Sequence, residues 1–300
     1  MCATCGCNDN GTLTIHSFHD HEQHDHNHHD FKYHDPESAN PPIRQSANLH
    51  DHSHEGNRKL VNVEKDILYQ NNLLAERNRG YFDARQIFSI NLVSSPGSGK
   101  TTLLEQTLTS LKNELSCYVI EGDQQSTRDA DRIHATGTPV VQINTGKGCH
   151  LDAHMVLHAI QQLDPKEYSV MFIENVGNLV CPAMFDLGES ARVVITSVTE
   201  GDDKPLKYPD MFQSVQLCII NKTDLLPYTP FDTGAFRNNA LKVNPTLEFI
   251  EVSALKGDGM TDWYNWLHRR ITKLGESVFP SHNGDNLHSP LFITEEVGSA

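Results

Sequence analysis

Ile87-Phe88-Ser89-Ile90-Asn91-Leu92-Val93 leads into Ser94-Ser95-Pro96-Gly97-Ser98-Gly99-Lys100-Thr101, and Thr102-Leu103-Leu104 follows. The first stretch is a short apolar run of the kind that forms a buried strand. The last opens a helical pattern over Lys100–Leu115. A Gly-rich loop between a strand and a helix is the context that a phosphate-binding loop requires. Gly97 and Gly99 let backbone N–H groups, Ser98 included, curl inward around phosphate oxygens. The helix start at Lys100, Thr101 and Thr102 adds its positive dipole end. Lys100 is placed to reach the β- and γ-phosphates, and the Thr101 hydroxyl suits Mg²⁺. Ser94 stands where the motif usually has its first Gly. Alone, this stretch predicts binding of a nucleoside triphosphate.

Further apolar runs come at Cys117–Glu121, Val140–Asn144, Val170–Glu174, Arg192–Ser197, Val215–Asn221 and Leu247–Val252. Helical stretches separate them: Thr127–Thr136, Leu151–Leu163, Thr233–Leu241 and Gly259–Leu274. Continuous apolar strands alternating with helices predict an α/β fold of the P-loop NTPase kind. The sheet should be mainly parallel, with helices on both faces. That domain spans 87–274. Before it, residues 59–86 have the apolar spacing of an amphipathic helix. Residues 1–58 are polar, rich in His and Asp, and too poor in apolar residues to offset their ordering entropy, which predicts a disordered metal-binding region. Pro, Gly, Ser and Asn dominate 275–300, a flexible tail.

Asn221-Lys222-Thr223-Asp224 follows the apolar strand ending at Asn221. A carboxylate there accepts from guanine N1–H and N2–H₂. Adenine offers neither donor and would leave the carboxylate desolvated and unpaired. Ser253-Ala254-Leu255 follows the next strand and matches the element that supports the base from its other side. Together they make the nucleotide GTP or GDP.

Glu121-Gly122-Asp123 and Glu174-Asn175-Val176-Gly177 end two other strands, where open α/β sheets bind ligands. Asp123 or Glu174 is the candidate to hold Mg²⁺, directly or through water, or to orient the attacking water; Lys100 completes the catalytic set. The usual Asp-x-x-Gly element has Glu174 in place of its Asp. No Gln is placed to orient water, so intrinsic hydrolysis should be slow and the nucleotide should act as a switch.

Two groups of metal ligands stand apart from this. Cys149-His150 follows one strand and Cys181 follows Glu174–Gly177 by four residues, so a thiol and an imidazole from one loop could meet a thiol from the other; two thiolates with an imidazole suit Zn²⁺ or Ni²⁺. Water or a second subunit would supply the fourth ligand. Cys2, Cys5 and Cys7 form Cys-x-x-Cys-Gly-Cys, able to chelate a soft-accepting ion with the terminal amine or a His as the fourth ligand. Eleven of the 18 histidines lie from His16 to His54, a tract for weaker, multi-ion binding. Cys117 and Cys218 fall inside apolar strands and read as core.

The 300 residues carry 24 basic and 39 acidic side chains, a formal charge of −15. That balance disfavours nucleic acid, whose backbone needs clustered Lys and Arg. No apolar run is long enough for a membrane span, and no secretory signal is legible. A cytoplasmic location with reduced thiols is expected.

The set of motifs resembles HypB, the nickel-incorporation GTPases of [NiFe]-hydrogenase maturation. The residues that carry it are Cys2–Cys7, the His tract, Ser94–Thr101, Glu121–Asp123, Cys149-His150-Leu151-Asp152, Glu174-Asn175-Val176-Gly177-Asn178-Leu179-Val180-Cys181-Pro182 and Asn221–Asp224. In that family Ser94 and Glu174 are the usual residues. The resemblance implies a tight Ni²⁺ site at Cys2, Cys5 and Cys7, and a metal site at Cys149, His150 and Cys181 in a GTP-dependent homodimer interface. It also implies a HypA-type metallochaperone and the hydrogenase large-subunit precursor as partners. Nickel storage and nickel delivery to urease are the alternative functions.

Overall fold

The computed structural model describes residues 14–18, 55–124 and 126–278, with side chains from 65 to 124 and from 126 to 273. Cys2, Cys5, Cys7 and most of the His tract lie outside the described residues. The strands are β1 Thr14–Phe18, β2 Phe88–Ser94, β3 Cys117–Asp123, β4 Val140–Asn144, β5 Val170–Glu174, β6 Ala191–Ser197, β7 Leu217–Asn221 and β8 Glu248–Glu251. The helices are α1 Glu55–Ala84, α2 Lys100–Leu111, α3 Arg128–His134, α4 Ala153–Leu163, α5 Cys181–Met184, α6 Lys204–Lys207, α7 Pro209–Gln213, α8 Thr233–Val243 and α9 Met260–Val278.

The strands form one sheet in the order β1-β4-β3-β5-β2-β6-β7-β8. Every neighbouring pair is parallel except β1 with β4, which is antiparallel. The fold is thus the expected P-loop NTPase architecture, with the phosphate-loop strand β2 near the centre. Side chains of successive strand residues point to opposite faces. Ile90 and Leu92 accordingly join Leu104, Leu108, Trp263 and Trp266 on one side. Ile120, Met171 and Ile173 join Ile160 of α4 and Phe82 of α1 on the other. Farther along, Val194, Cys218 and Ile220 pack with Phe212 and Phe236.

At the ends of the domain the structure differs from the sequence reading in three places. Thr14–Phe18, within the segment expected to be disordered, forms an edge strand in register with β4, Ile15 opposite Ile143. Its β-branched and aromatic residues favour a strand once an edge is offered. Helix α1 starts at Glu55 rather than 59, and α9 continues to Val278, past the expected end of the domain.

The buried face of α1 also differs from the apolar positions that predict it. Phe82 is buried as its place in the apolar pattern predicts, but Ile67 and Leu73 are exposed, while Asn71, Ala75 and Asn78 are buried. The two asparagines bind backbone. Asn71 Nδ2 donates to Asp186 O at 2.8 Å, and its Oδ1 accepts from Ala153 N–H at 2.9 Å. Asn78 Nδ2 donates to Ala153 O and Leu187 O. Helix α1 therefore ties the start of α4 to the segment after α5.

Candidate functional site

Ser95–Gly99 links β2 to α2. Gly97 and Gly99 have φ of 73° and 95°, the left-handed region that favours glycine. A Cβ at Gly99 would lie 2.5 Å from Asn221 Nδ2. Only glycine lets the two elements meet. Asn221 Nδ2 donates to Ser98 O at 2.9 Å, and Lys222 Nζ to Gly97 O at 2.7 Å. Asn221 Oδ1 accepts from Lys222 N–H and Ala254 N–H, while Asp224 Oδ1 accepts the Ser253 hydroxyl at 2.7 Å. Ser253 and Ala254 thus support Asn221 and Asp224, with Leu255 beside them, largely exposed. A cavity of about 510 Å³ opens over the phosphate loop, lined by Gly97 to Thr102, Asp123, Arg132 and Lys222 among others.

At the edge of this cavity Thr101 Oγ1 donates to Glu174 Oε1 at 2.7 Å, and Lys100 Nζ lies 3.9 Å from the same oxygen. Glu121 stands directly opposite Glu174 in the β3–β5 register. Both are buried. Burial, with repulsion from Glu174 and Asp123, pushes the Glu121 carboxyl up to about 9. Burial also raises Glu174, against the pull of Lys100 and the Thr101 hydrogen bond. One oxygen of each, Oε2, has no hydrogen-bond partner among the described residues. Unpartnered buried carboxylate oxygens are costly. Glu174 beside the Thr101 hydroxyl, with the Asp123 carboxylate at the end of β3, offers hard oxygens that fit Mg²⁺. Asp123, at the end of β3, accepts the Ser126 N–H at 2.8 Å.

The thiols and imidazole also converge. Cys149, His150 and Cys181 bring their ligand atoms within 4.8 Å of one another. Cys149 Sγ is 2.9 Å from Cys181 Sγ and 3.9 Å from His150 Nδ1. Two thiolates on one tetrahedral Zn²⁺ at ~2.3 Å each stand ~3.8 Å apart. The donor set therefore fits a metal once the sulfurs part by just under ~1 Å. The His150 ring stacks on Phe185 with centroids 3.9 Å apart, and burial lowers its pKa, which favours the neutral, ligating imidazole.

Two residues that the sequence reading left without a role join this cluster to the nucleotide side. Asn175, next to Glu174, accepts the Leu151 N–H at 3.1 Å. Asn178 Nδ2 donates to Cys149 O at 3.3 Å. The loop between them passes over the phosphate loop, where a Cβ at Gly177 would lie 3.0 Å from Pro96 Cα. Arg132 was also missed. It lines the cavity and donates to Thr102 Oγ1 at 3.1 Å and Glu105 Oε2 at 2.6 Å. His154 and His158, one turn apart on α4, place their Nε2 atoms 3.1 Å apart. Their i, i+4 spacing was a readable signal. Cys218 is a buried core thiol as expected, whereas Cys117 is half-buried at the edge of the core; burial pushes Cys117 up to about 12 and raises Cys218 as well.

The geometry defines a nucleotide-binding P-loop domain with a thiol–imidazole cluster on its switch-like loop. Residues 88–251 match the family described as CobW/HypB/UreG, nucleotide-binding domain. Hydrogenase maturation factor HypB of Rhizobium leguminosarum bv. viciae is 59% identical over 209 residues, 70% of each chain. The same factor from Azotobacter vinelandii is 51% identical over 280 residues, 90% of this chain and 92% of that one. The solved structure of HypB from Helicobacter pylori in complex with nickel is 35% identical, with a TM-score of 0.64, covering 68% of this chain and 96% of that one. The chain belongs to the CobW/HypB/UreG family, on its hydrogenase maturation factor HypB branch. No helix among the described residues is long and apolar enough to cross a membrane.

Proposed function

We propose that this chain hydrolyses GTP to GDP and phosphate and uses the nucleotide state to control nickel delivery to the [NiFe]-hydrogenase large-subunit precursor. The observation that carries this reading is one loop with two jobs. Glu174 accepts the Thr101 hydroxyl at its start, and Cys181 meets Cys149 and His150 at its end. Asn175 and Asn178 tie its middle to the Cys149 loop. A change at the phosphate end is thereby transmitted to the thiol spacing.

In this reading Lys100 and the loop N–H groups hold the phosphates, and Asp224 selects guanine. Thr101, Asp123 and Glu174 would hold Mg²⁺, which supplies charge neutralisation at the phosphates when bound. Asp123 and Glu174 orient the attacking water. Nickel or zinc is bound by Cys149, His150 and Cys181, and a second copy of the chain completes the coordination in a GTP-dependent homodimer. The nickel in the Helicobacter pylori relative supports nickel as the cargo. Cys2, Cys5 and Cys7 would load nickel at the terminus, and a HypA-type metallochaperone would be the exchange partner in the cytoplasm.

The test is Ni²⁺ affinity of the full chain with GDP and with a non-hydrolysable GTP analogue, for wild type and Cys181→Ala. The wild-type affinity should differ between the nucleotides by about tenfold or more, the scale of a coupling free energy of 1–3 kcal/mol. The variant should lose that difference. An identical nucleotide response in the two proteins rejects the coupling.

A further inference from the structure

The segment after β6 carries two charged side chains that no role above has used. Glu200 Oε1 accepts the Ser98 hydroxyl at 2.7 Å and the Ser197 N–H at 3.0 Å. Lys204 Nζ donates to Ser95 Oγ at 2.7 Å and lies 2.9 Å from Glu200 Oε2. Ser95 and Ser98 both belong to the phosphate loop, and both are buried. An i, i+4 ion pair in water contributes little. This pair differs, because its side chains are only 20% and 13% exposed and each also reaches a loop hydroxyl.

A phosphate loop binds through backbone N–H groups that must all face one point. Gly97 and Gly99 make that shape accessible but do not hold it, since glycine has the most backbone freedom to lose. Hydrogen bonds to charged groups are stronger than neutral ones. Placed outside the ligand cavity, they hold a binding loop ready and reduce the ordering cost on association. Asn221 and Lys222 hold the Gly97–Ser98 carbonyls from one neighbouring element. Glu200 and Lys204 engage the hydroxyls from another.

We propose that Glu200 and Lys204 are positioning residues that keep Ser95 and Ser98 of the phosphate loop in binding shape, setting nucleotide affinity without touching the nucleotide. The proposal rests on the nucleotide-binding reading of the loop. A preformed backbone cradle grips substrate and transition state alike. Its loss therefore raises Kd and KM and leaves kcat nearly unchanged.

The experiment uses full-length protein with Glu200→Gln, Lys204→Met, the double variant and Lys204→Arg. It measures affinity for a fluorescent GDP, KM and kcat for GTP, and Tm. Each single variant should weaken GDP binding by roughly tenfold, as expected for losing a hydrogen bond to a charged group, with kcat within about twofold. The double variant should bind no more weakly than the worse single, because the pair acts as one unit. Lys204→Arg should recover part of the loss. Folded variants that bind GDP like wild type overturn the proposal, as does a fall in kcat at unchanged KM. Should the Glu200 variant not fold, Ser98→Ala removes the same contact, and undiminished GDP affinity there overturns it too. A wild-type protein that binds no guanine nucleotide overturns the reading of the loop itself, a separate result from variants that match a binding-competent wild type.

Discussion

The Thr101 hydroxyl donates to Glu174 across 2.7 Å, joining the first turn of α2 to the end of β5. Thr101 is the hydroxyl expected on Mg²⁺, and Glu174 begins the loop that ends at Cys181. The contact therefore sits at the nucleotide end of the loop whose other end carries Cys181 of the thiol cluster. Because Lys100 lies 3.9 Å from the same oxygen, Glu174 is held by the two side chains that Mg²⁺ and the phosphates would engage.

Glu174→Gln removes the charge at this point and keeps the shape. Magnesium-dependent GTP hydrolysis should fall by about 100-fold, the scale of losing one preorganised electrostatic group. GDP affinity should change far less. Steady-state kinetics beside GDP titration checks this, and near-wild-type kcat would remove Glu174 from the catalytic set.

Asp224→Asn changes which base fits. The amide oxygen still accepts N1–H, but the amide N–H₂ meets the guanine N2–H₂ donor and pairs instead with the 2-oxygen of xanthine. Preference should shift from GTP to XTP by at least about 100-fold in the ratio of kcat/KM. Unaltered GTP preference would show that Asp224 does not read the base.

Glu121 should make stability depend on pH. Its folded carboxyl is raised to about 9 from an ordinary 4.5, by burial first and then by Glu174 and Asp123. Below the unfolded value both states hold the proton, and the contribution is complete. As pH rises toward 9 the unfolded chain releases the proton first, so stability declines. Glu121→Gln should flatten that decline and be more stable than wild type at pH 8 by at least about 1 kcal/mol. Denaturant melts at pH 5 and pH 8 without nucleotide measure it, and parallel slopes would count against a proton held at Glu121.

Arg192 anchors the segment behind Cys181. It pairs with Glu189 at 2.8 Å and donates to the carbonyls of Ala183 and Phe185. Both charged partners are buried, so Arg192→Leu strands Glu189 and should cost about 3–5 kcal/mol of stability. In the surviving folded protein, Zn²⁺ affinity should fall while GDP affinity holds. Loss of both together would mean that Arg192 serves the whole domain rather than the Cys181 segment.

How much of the site the sequence shows depends on the range of the interaction involved. The phosphate loop is legible because its requirements are local: a strand, two glycines free to take positive φ, and a helix start bearing Lys100 and Thr101. The Asn221–Asp224 and Ser253–Leu255 elements are legible because each follows an apolar strand. Helix α1 is legible as a helix but not in its facing, because hydrogen bonds from Asn71 and Asn78 to distant carbonyls decide which side is buried. The β1 edge strand is not legible for a related reason: Thr14–Phe18 becomes a strand only beside β4.

By itself, then, the sequence determined the order of strands and helices, the guanine-type motif set, and the cysteines and histidines available as ligands. Tertiary structure alone decided which of these meet. Strand order β4-β3-β5 puts Glu121 beside Glu174 and brings the Cys149 loop, which follows β4, against Cys181, which follows β5. Strand β6, next to β2, delivers Glu200 and Lys204 to the phosphate loop. The physical reason is that covalent spacing governs contacts within a few residues. Contacts between Ser98 and Glu200, or Cys149 and Cys181, exist only because packing of the sheet and its helices holds distant segments at hydrogen-bonding distance.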